Sequence, residues 1–187
     1  MPLQMSTTKQ TTINGVDVDA LTKTIDAIKH ETNLSAFQFR ARNTWLGGGL
    51  NHSTIQGFFG AGQERARAAS FTFKADEPPV LLGDDRGANP VEFVLHALAA
   101  CLTTTLAYHA AARGIEIRSI SSELEGDLDL RGFLGLADVR KGYHHVRVKM
   151  HVASDAPADQ LANLAKFSPV YDIVANSLPV EVIVETQ

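Results

Sequence analysis

The sequence holds a single cysteine, Cys101, among 187 residues. One thiol excludes an intrachain disulfide framework and any zinc or iron–sulfur centre assembled from several cysteines of one chain. It fits a reducing compartment such as the cytoplasm. Basic charge is also in short supply: Lys and Arg total 17 against 21 for Asp and Glu, a formal net of −4. Nucleic-acid binders normally carry a basic surplus, so no nucleic-acid partner is expected. The opening MPLQMSTTKQTT has no apolar core behind a basic start, and no signal peptide is read there. The sequence has no internal repeat, no low-complexity tract and no G-x-S-x-G elbow of a hydrolase. Its most apolar stretch, Phe93 to Ala112, has the length of a membrane span. Yet His96, Thr103, Thr104, Thr105 and His109 lie in it and its alanines are weakly hydrophobic, so a buried helix is expected and no membrane partner.

What is present is ordinary for a globular protein: 44% hydrophobic and 20% charged residues. We divide the chain into a polar tail (1–12), a helical extension (13–35) and a single domain (36–187). In the extension Val18, Leu21, Ile25 and Ile28 recur at helical spacing. From Phe37 to Trp45 the period becomes two, placing Phe37, Phe39, Ala41 and Trp45 on an apolar face and Gln38, Arg40, Arg42 and Thr44 on a polar one. That predicts a half-buried strand ended by Gly47-Gly48-Gly49, with two more short strands near Ser53–Phe59 and Ala68–Lys74.

The spacing predicts a long helix over Pro90–Arg113, capped by Asn89, with Pro90 in its first turn and Gly114 as a left-handed end. Apolar residues encircle it almost completely, the mark of a helix covered on all sides. Either several strands must wrap it or a second copy must cover what one sheet leaves bare, and this is the sequence argument for a homodimer. Beyond it, Glu123–Leu130 alternates leucines with acids, and His145–Val152 alternates apolar residues with bases. These are expected to pair antiparallel across the loop 131–142, with opposite charges helping to set the register. A helix near Ala156–Lys166, capped by Ser154-Asp155, and a shorter one after Ser168-Pro169 follow. Val180–Val184 is expected to close the sheet. Strands are grouped rather than alternating with helices, so the class is α+β: an antiparallel sheet on a long buried central helix.

Chemistry has few candidates. Cys101 shares its side of the helix with Val94, Ala97, Thr105 and Tyr108, while Glu92, His96 and Thr103 lie opposite. Free cysteine is commonly a small core residue. Mid-helix, it is too far from the N-terminus for the dipole to help, so a reactive thiolate needs a cation or donors from another segment. Glu92 and His96, four apart, suit a polar pair or a partner contact and make no metal site alone. His144 and His145 point to opposite faces of a strand and cannot share a metal. Ser168 before Pro169 is first of all a helix cap. No metal and no cofactor is expected.

The run GANPVEFVLHALAACLTTTLAYHAAARGI, Gly87 to Ile115, resembles the central helix of the OsmC/Ohr family (osmotically inducible protein C and organic hydroperoxide resistance protein). That helix follows a Gly-x-x-Pro turn and has its cysteine eleven residues after the proline, the spacing of Pro90 and Cys101 here. KFSPVYDIV, Lys166 to Val174, resembles the family's second cysteine motif with Ser168 in the cysteine's place. The resemblance spans about Phe37 to the C-terminus. It implies an intertwined homodimer whose sheets wrap two central helices, with sites at the subunit interface. It also implies reduction of organic hydroperoxides, in which the helix cysteine becomes a sulfenic acid, a second cysteine makes a disulfide, and a dithiol resets it. Carried over by position, the attacking residue is Cys101, and Val91, Glu92, Tyr108 and Ser168 are candidates for binding. Three departures stand out. Ser168 cannot form a disulfide. Val91 stands where the family has a glutamate, with Glu92 one residue late. The family's arginine position falls at Leu50 or Asn51, with Arg40 and Arg42 as nearby alternatives for that role. Three readings follow: a one-cysteine thiol peroxidase reset by an external thiol, a binding module for a small apolar molecule, and a structural dimer.

Overall fold

The computed structural model describes residues 11–176 and 178–186. Expectations for the tail before residue 11 lie outside these. Strands β1 (Thr12–Ile13) and β2 (Val16–Asp17) flank an Asn14-Gly15 turn with φ of 53° and 76°. Two successive left-handed residues make the type I′ turn, which Asn-Gly favours. The segment read as a purely helical extension therefore starts with a hairpin. Helix α1 (Val18–His30) follows, its first turn capped by the Asp17 carboxylate, which accepts from Ala20 N at 2.9 Å.

The chain forms two compact units that divide within the long helix, one spanning Asp17–Val94 and the other Ile13–Val16 with Leu95 onwards. In the first, six strands follow α1: β3 (Gln38–Phe39), β4 (Arg42–Gly47), β5 (Leu50–Ile55), β6 (Phe58–Gly60), β7 (Gln63–Arg65) and β8 (Phe71–Ala75). They form two antiparallel sheets of order β4-β5-β8 and β3-β6-β7. The strand expected over Phe37–Trp45 is thus broken at Arg40–Ala41, and the one over Ser53–Phe59 at Gln56–Gly57. Pairing runs to Arg42 opposite Thr54 and resumes at Phe39 opposite Phe58. Two residues on one strand face three on the other, a mismatch that bends a hairpin as a bulge does. The apolar face is also barer than expected, with Phe39 68% and Trp45 73% exposed. The alternation is present, and among the described residues Phe37, Phe39 and Phe58 stack on one another while their outer surfaces stay open.

The loop after β8 is organised by Asp76, which is buried. Its carboxylate accepts from the N–H groups of Glu77 (2.9 Å) and Arg86 (3.2 Å). A Cβ at Gly87 would sit 2.4 Å from the Lys74 carbonyl oxygen, so the glycine of the Gly-x-x-Pro turn is required by close backbone approach.

Helix α2 (Pro90–Ala111) ends at Gly114, φ 69°, as expected. By length and composition it could cross a membrane. In the second unit Leu98, Leu102, Leu106 and Ala110, at four-residue spacing, form one buried stripe packed with Leu161, Leu164 and Ala165. The helix is therefore covered along one stripe rather than on every side, and Tyr108 is 48% exposed. Strands β9 (Ile117–Asp127) and β10 (His145–Ser154), with the short helix α3 (Leu130–Phe133) after β9, give the expected antiparallel pair. Arg147 lies opposite Glu125 and bonds both Glu125 (3.0 Å) and Asp127 (2.6 Å).

Helices α4 (Ala158–Ala165) and α5 (Pro169–Ala175) complete the regular structure. Ser154 and Asp155 do not cap α4. Ser154 Oγ donates to the Glu116 carbonyl and Asp155 pairs with Arg118. Val180–Val184 is not a strand: residues 178–186 have no regular structure, and Val182 is 80% exposed. An alternating sequence makes a strand only beside a hydrogen-bonding neighbour, and here it has none among the described residues. The Asn14 side chain ties the N-terminal hairpin to β9. Its Nδ2 donates to the Ile115 carbonyl (2.9 Å), and its Oδ1 accepts from Ile117 N (2.8 Å). The architecture is α+β, helices with antiparallel sheets.

Candidate functional site

Cys101 is a free, half-buried thiol in the middle of α2. One helical turn on, the Thr105 hydroxyl lies 4.0 Å from its sulfur. A hydroxyl at that distance is a weak partner, and either group can donate. Next to Cys101 in the chain, Leu102 belongs to the buried stripe, so the half-buried sulfur sits at the border between core and the more exposed flank of α2.

The other sequence candidates have local employment. Asn89 caps α2, accepting from Val91 N at 2.9 Å, while Glu92 Oε2 reaches back to accept from Asn89 N at 2.8 Å. This reciprocal pair satisfies two of the amide groups that a helix start leaves open. Glu92 is thus a helix-start residue, and Val91 enters the cap through its amide. Ser168 is buried, and its Oγ accepts from Tyr171 N at 3.1 Å as the cap of α5, the role its place before Pro169 predicts. Tyr108 is a surface residue of α2. Leu50 is buried and Asn51 accepts from Asn43 Nδ2, so neither supplies a cation. Arg40 is held by both oxygens of Glu64 and by Gln38.

Sequence reasoning missed two features of the second unit. One is an apolar cavity of about 630 Å3. Its walls come from α2 (Leu102, Leu106), β10 (Val148, Met150, Val152) and α4 (Leu161), with Ser154, Lys166 and Tyr171 as polar members of the lining. Cys101 is not among the wall residues. Alanines 158, 162 and 165 make the room, a signal visible in the sequence only once the facing strand is known. The other is His109, whose ring stacks on Phe167 at 4.6 Å and whose Nδ1 lies 3.2 Å from Arg113 Nη1. Burial, joined by the Arg113 charge, holds its pKa below the ordinary histidine value. Among the described residues no group of three or more His, Cys, Asp or Glu is placed to hold a metal ion.

The sequence matches the family model described as OsmC-like protein over residues 83–183, more than half of the chain. No curated protein matches it. Among solved structures, an OsmC-like protein from Mycoplasma pneumoniae is 14% identical. That match covers 75% of this chain and 89% of the other, with a TM-score of 0.56. An OsmC-like protein of unknown function from Vibrio cholerae is 15% identical over 79% of this chain and 97% of its own, with a TM-score of 0.52. At such identities the likeness is one of fold.

Proposed function

Since the chain belongs to the OsmC-like protein family, we propose that it reduces organic hydroperoxides with Cys101 as its one redox cysteine, acting as a homodimer in the cytoplasm. The observation that supports this most directly is the thiol itself: free, half-buried, mid-way along α2 and bordering the part of the helix that its own chain leaves uncovered.

The chemistry is that of a one-cysteine cycle. The Cys101 thiolate attacks one oxygen of the hydroperoxide, the O–O bond breaks, and the departing alkoxide takes a proton to leave as an alcohol. Sulfur is oxidised to the sulfenic acid and the peroxide is reduced. Ser168 has no thiol, so an external thiol condenses with the sulfenic acid, releasing water. A second equivalent then attacks the outer sulfur of that mixed disulfide, leaves as the reductant's own disulfide and releases the Cys101 thiolate. Dimerisation is favoured by bare apolar surface: Phe39 and Trp45 in the first unit, and the half-exposed flank of α2 that carries Cys101. Monomeric proteins seldom expose surfaces of that kind. A peroxide or other small hydrophobic ligand would then enter at the interface.

The test is to mix the reduced protein with cumene hydroperoxide and follow Cys101 with a sulfenic-acid trap and mass spectrometry. The expected result is labelling of Cys101 far faster than of free cysteine, abolished by Cys101→Ser. A rate equal to that of free cysteine would overturn the reading. In that event the 630 Å3 apolar cavity favours the second reading, a small-molecule-binding dimer in which Cys101 is a packing residue.

A further inference from the structure

The break that divides β3 from β4 and β5 from β6 leaves a recess of about 260 Å3 on the sheet, lined by Arg40, Ala41, Arg42, Thr54, Gln56 and Gly57. Its location follows from the pairing. Above it Arg42 lies opposite Thr54, below it Phe39 lies opposite Phe58, and in between the two strands part. Arg40, Arg42, Thr54 and Gln56 thus bring four polar side chains to one gap.

Their states differ. Both terminal nitrogens of Arg40 donate to Glu64, at 2.9 and 2.7 Å, and its Nε donates to Gln38, so its charge is offset and its position fixed. Arg67 Nη1 donates to the Gln56 carbonyl and braces the opposite lip. Arg42 has no ion-pair or hydrogen-bond partner among the described residues, and neither has the Thr54 hydroxyl or the Gln56 carboxamide. No carboxylate lines the recess. What faces the gap is one uncompensated guanidinium with a hydroxyl and an amide beside it. A guanidinium presents paired N–H groups that match the two oxygens of a carboxylate or phosphate, and such bonds are stronger than neutral ones.

We propose that this recess binds a small oxyanion, the phosphate or carboxylate group of a polar metabolite, with Arg42 as the charged contact and Thr54 and Gln56 as hydrogen-bond donors. A cation would be repelled by Arg42, and an apolar ligand would leave the guanidinium dehydrated without a partner. The site involves no cysteine, and its test reads anion binding rather than oxidation of Cys101, so either reading can fail alone.

The test is NMR titration of the full-length, 15N-labelled chain with inorganic phosphate in one arm and sodium acetate in the other, ionic strength being held constant. The expected result is a saturable shift of the Arg42 Nε–H and of the Thr54, Gln56 and Gly57 amides by at least one of the two anions, with the stronger arm naming the group preferred. Arg42→Gln should raise the half-saturation concentration about tenfold, since a hydrogen bond to a charged group is worth about 1.5 kcal/mol or more. Lys29→Gln, which removes an exposed cation on α1, should leave it unchanged. Arg42 is on the surface, so its loss should not disturb folding. Shifts that never saturate, or that spread over the surface lysines, would overturn the proposal, as would an Arg42→Gln protein that binds as well as the parent.

Discussion

Leu98 and Leu106 occupy equivalent places on the buried stripe of α2, 2% and 1% exposed, yet only Leu106 lines the apolar cavity. Truncation to alanine removes the same atoms from both. The transfer contribution is therefore alike, about 0.8 kcal/mol for each of roughly three carbons. The contributions that differ are lost packing and the new void. Leu98 is buried in the core cluster and does not line the pocket, so its truncation leaves a closed void, and we expect a loss near the upper part of the known Leu→Ala range, about 4 kcal/mol. At Leu106 the space left by truncation adjoins the existing pocket and can open into it rather than remain a sealed void, and about 2.5 kcal/mol is expected. A gap of about 1.5 kcal/mol corresponds to roughly 3–6 °C in Tm for a chain of this size. Urea and thermal unfolding followed by far-UV circular dichroism would measure both variants at one protein concentration. If Leu106→Ala costs as much as Leu98→Ala, the space beside Leu106 is filled in solution and the cavity argument is wrong.

Four further outcomes are expected. Glu92→Ala should cost about 1 kcal/mol by opening the start of α2, while Glu92→Gln, which can still accept from Asn89 N, should cost less, as urea midpoints will register. Arg147→Ala should cost no more than about 1 kcal/mol, because its partners are solvent-exposed, and the cost should shrink in 1 M salt. Asn14→Ala removes the acceptor for Ile117 N and the donor to Ile115 and places alanine at φ 53°; about 2–3 kcal/mol is expected, with Asn14→Gly recovering only the backbone share. His109, whose ordinary pKa is 6.5, has a lower value in the folded chain. As pH falls below 6.5 the unfolded chain therefore takes up the proton first, and stability is lost until pH passes the folded value. His109→Gln should flatten the stability profile in that window.

The parts of the fold that could be read from the sequence are those where pattern and partner lie in the same stretch of chain. The acidic and basic alternations of β9 and β10 mark complementary faces, and the connection between them, with no long crossover helix, favours an antiparallel pair, in which Arg147 meets Glu125 and Asp127. Asn89, Pro90 and Gly114 mark the ends of α2 by local backbone chemistry. Where a partner lies elsewhere, alternation misleads. Phe37–Trp45 reads as one continuous strand because its period is unbroken, but the opposite strand spends three residues where it spends two. Val180–Val184 has the composition of a strand without an edge to join among the described residues. The extension reads as purely helical because the two-residue strands beside the Asn14-Gly15 turn are too short for a period to show.

Similar logic separates the candidate site residues. A polar side chain within one turn of a helix start has four open amide groups within its reach, so geometry gives it a structural use before any catalytic one. Asn89, Glu92 and Ser168 all have that use here. For Glu92 and Ser168, the two of these that the family resemblance singles out, the cap is the use the structure shows. Cys101 is placed differently. Mid-helix, the backbone carbonyls and amides around it are already paired, and a thiol adds nothing to a cap. A residue of small apolar volume would serve packing at that place equally well. Cys101→Ala should therefore cost under about 1 kcal/mol, given that the thiol is half-buried. If peroxide turnover disappears while stability holds, the sulfur serves reactivity rather than the fold.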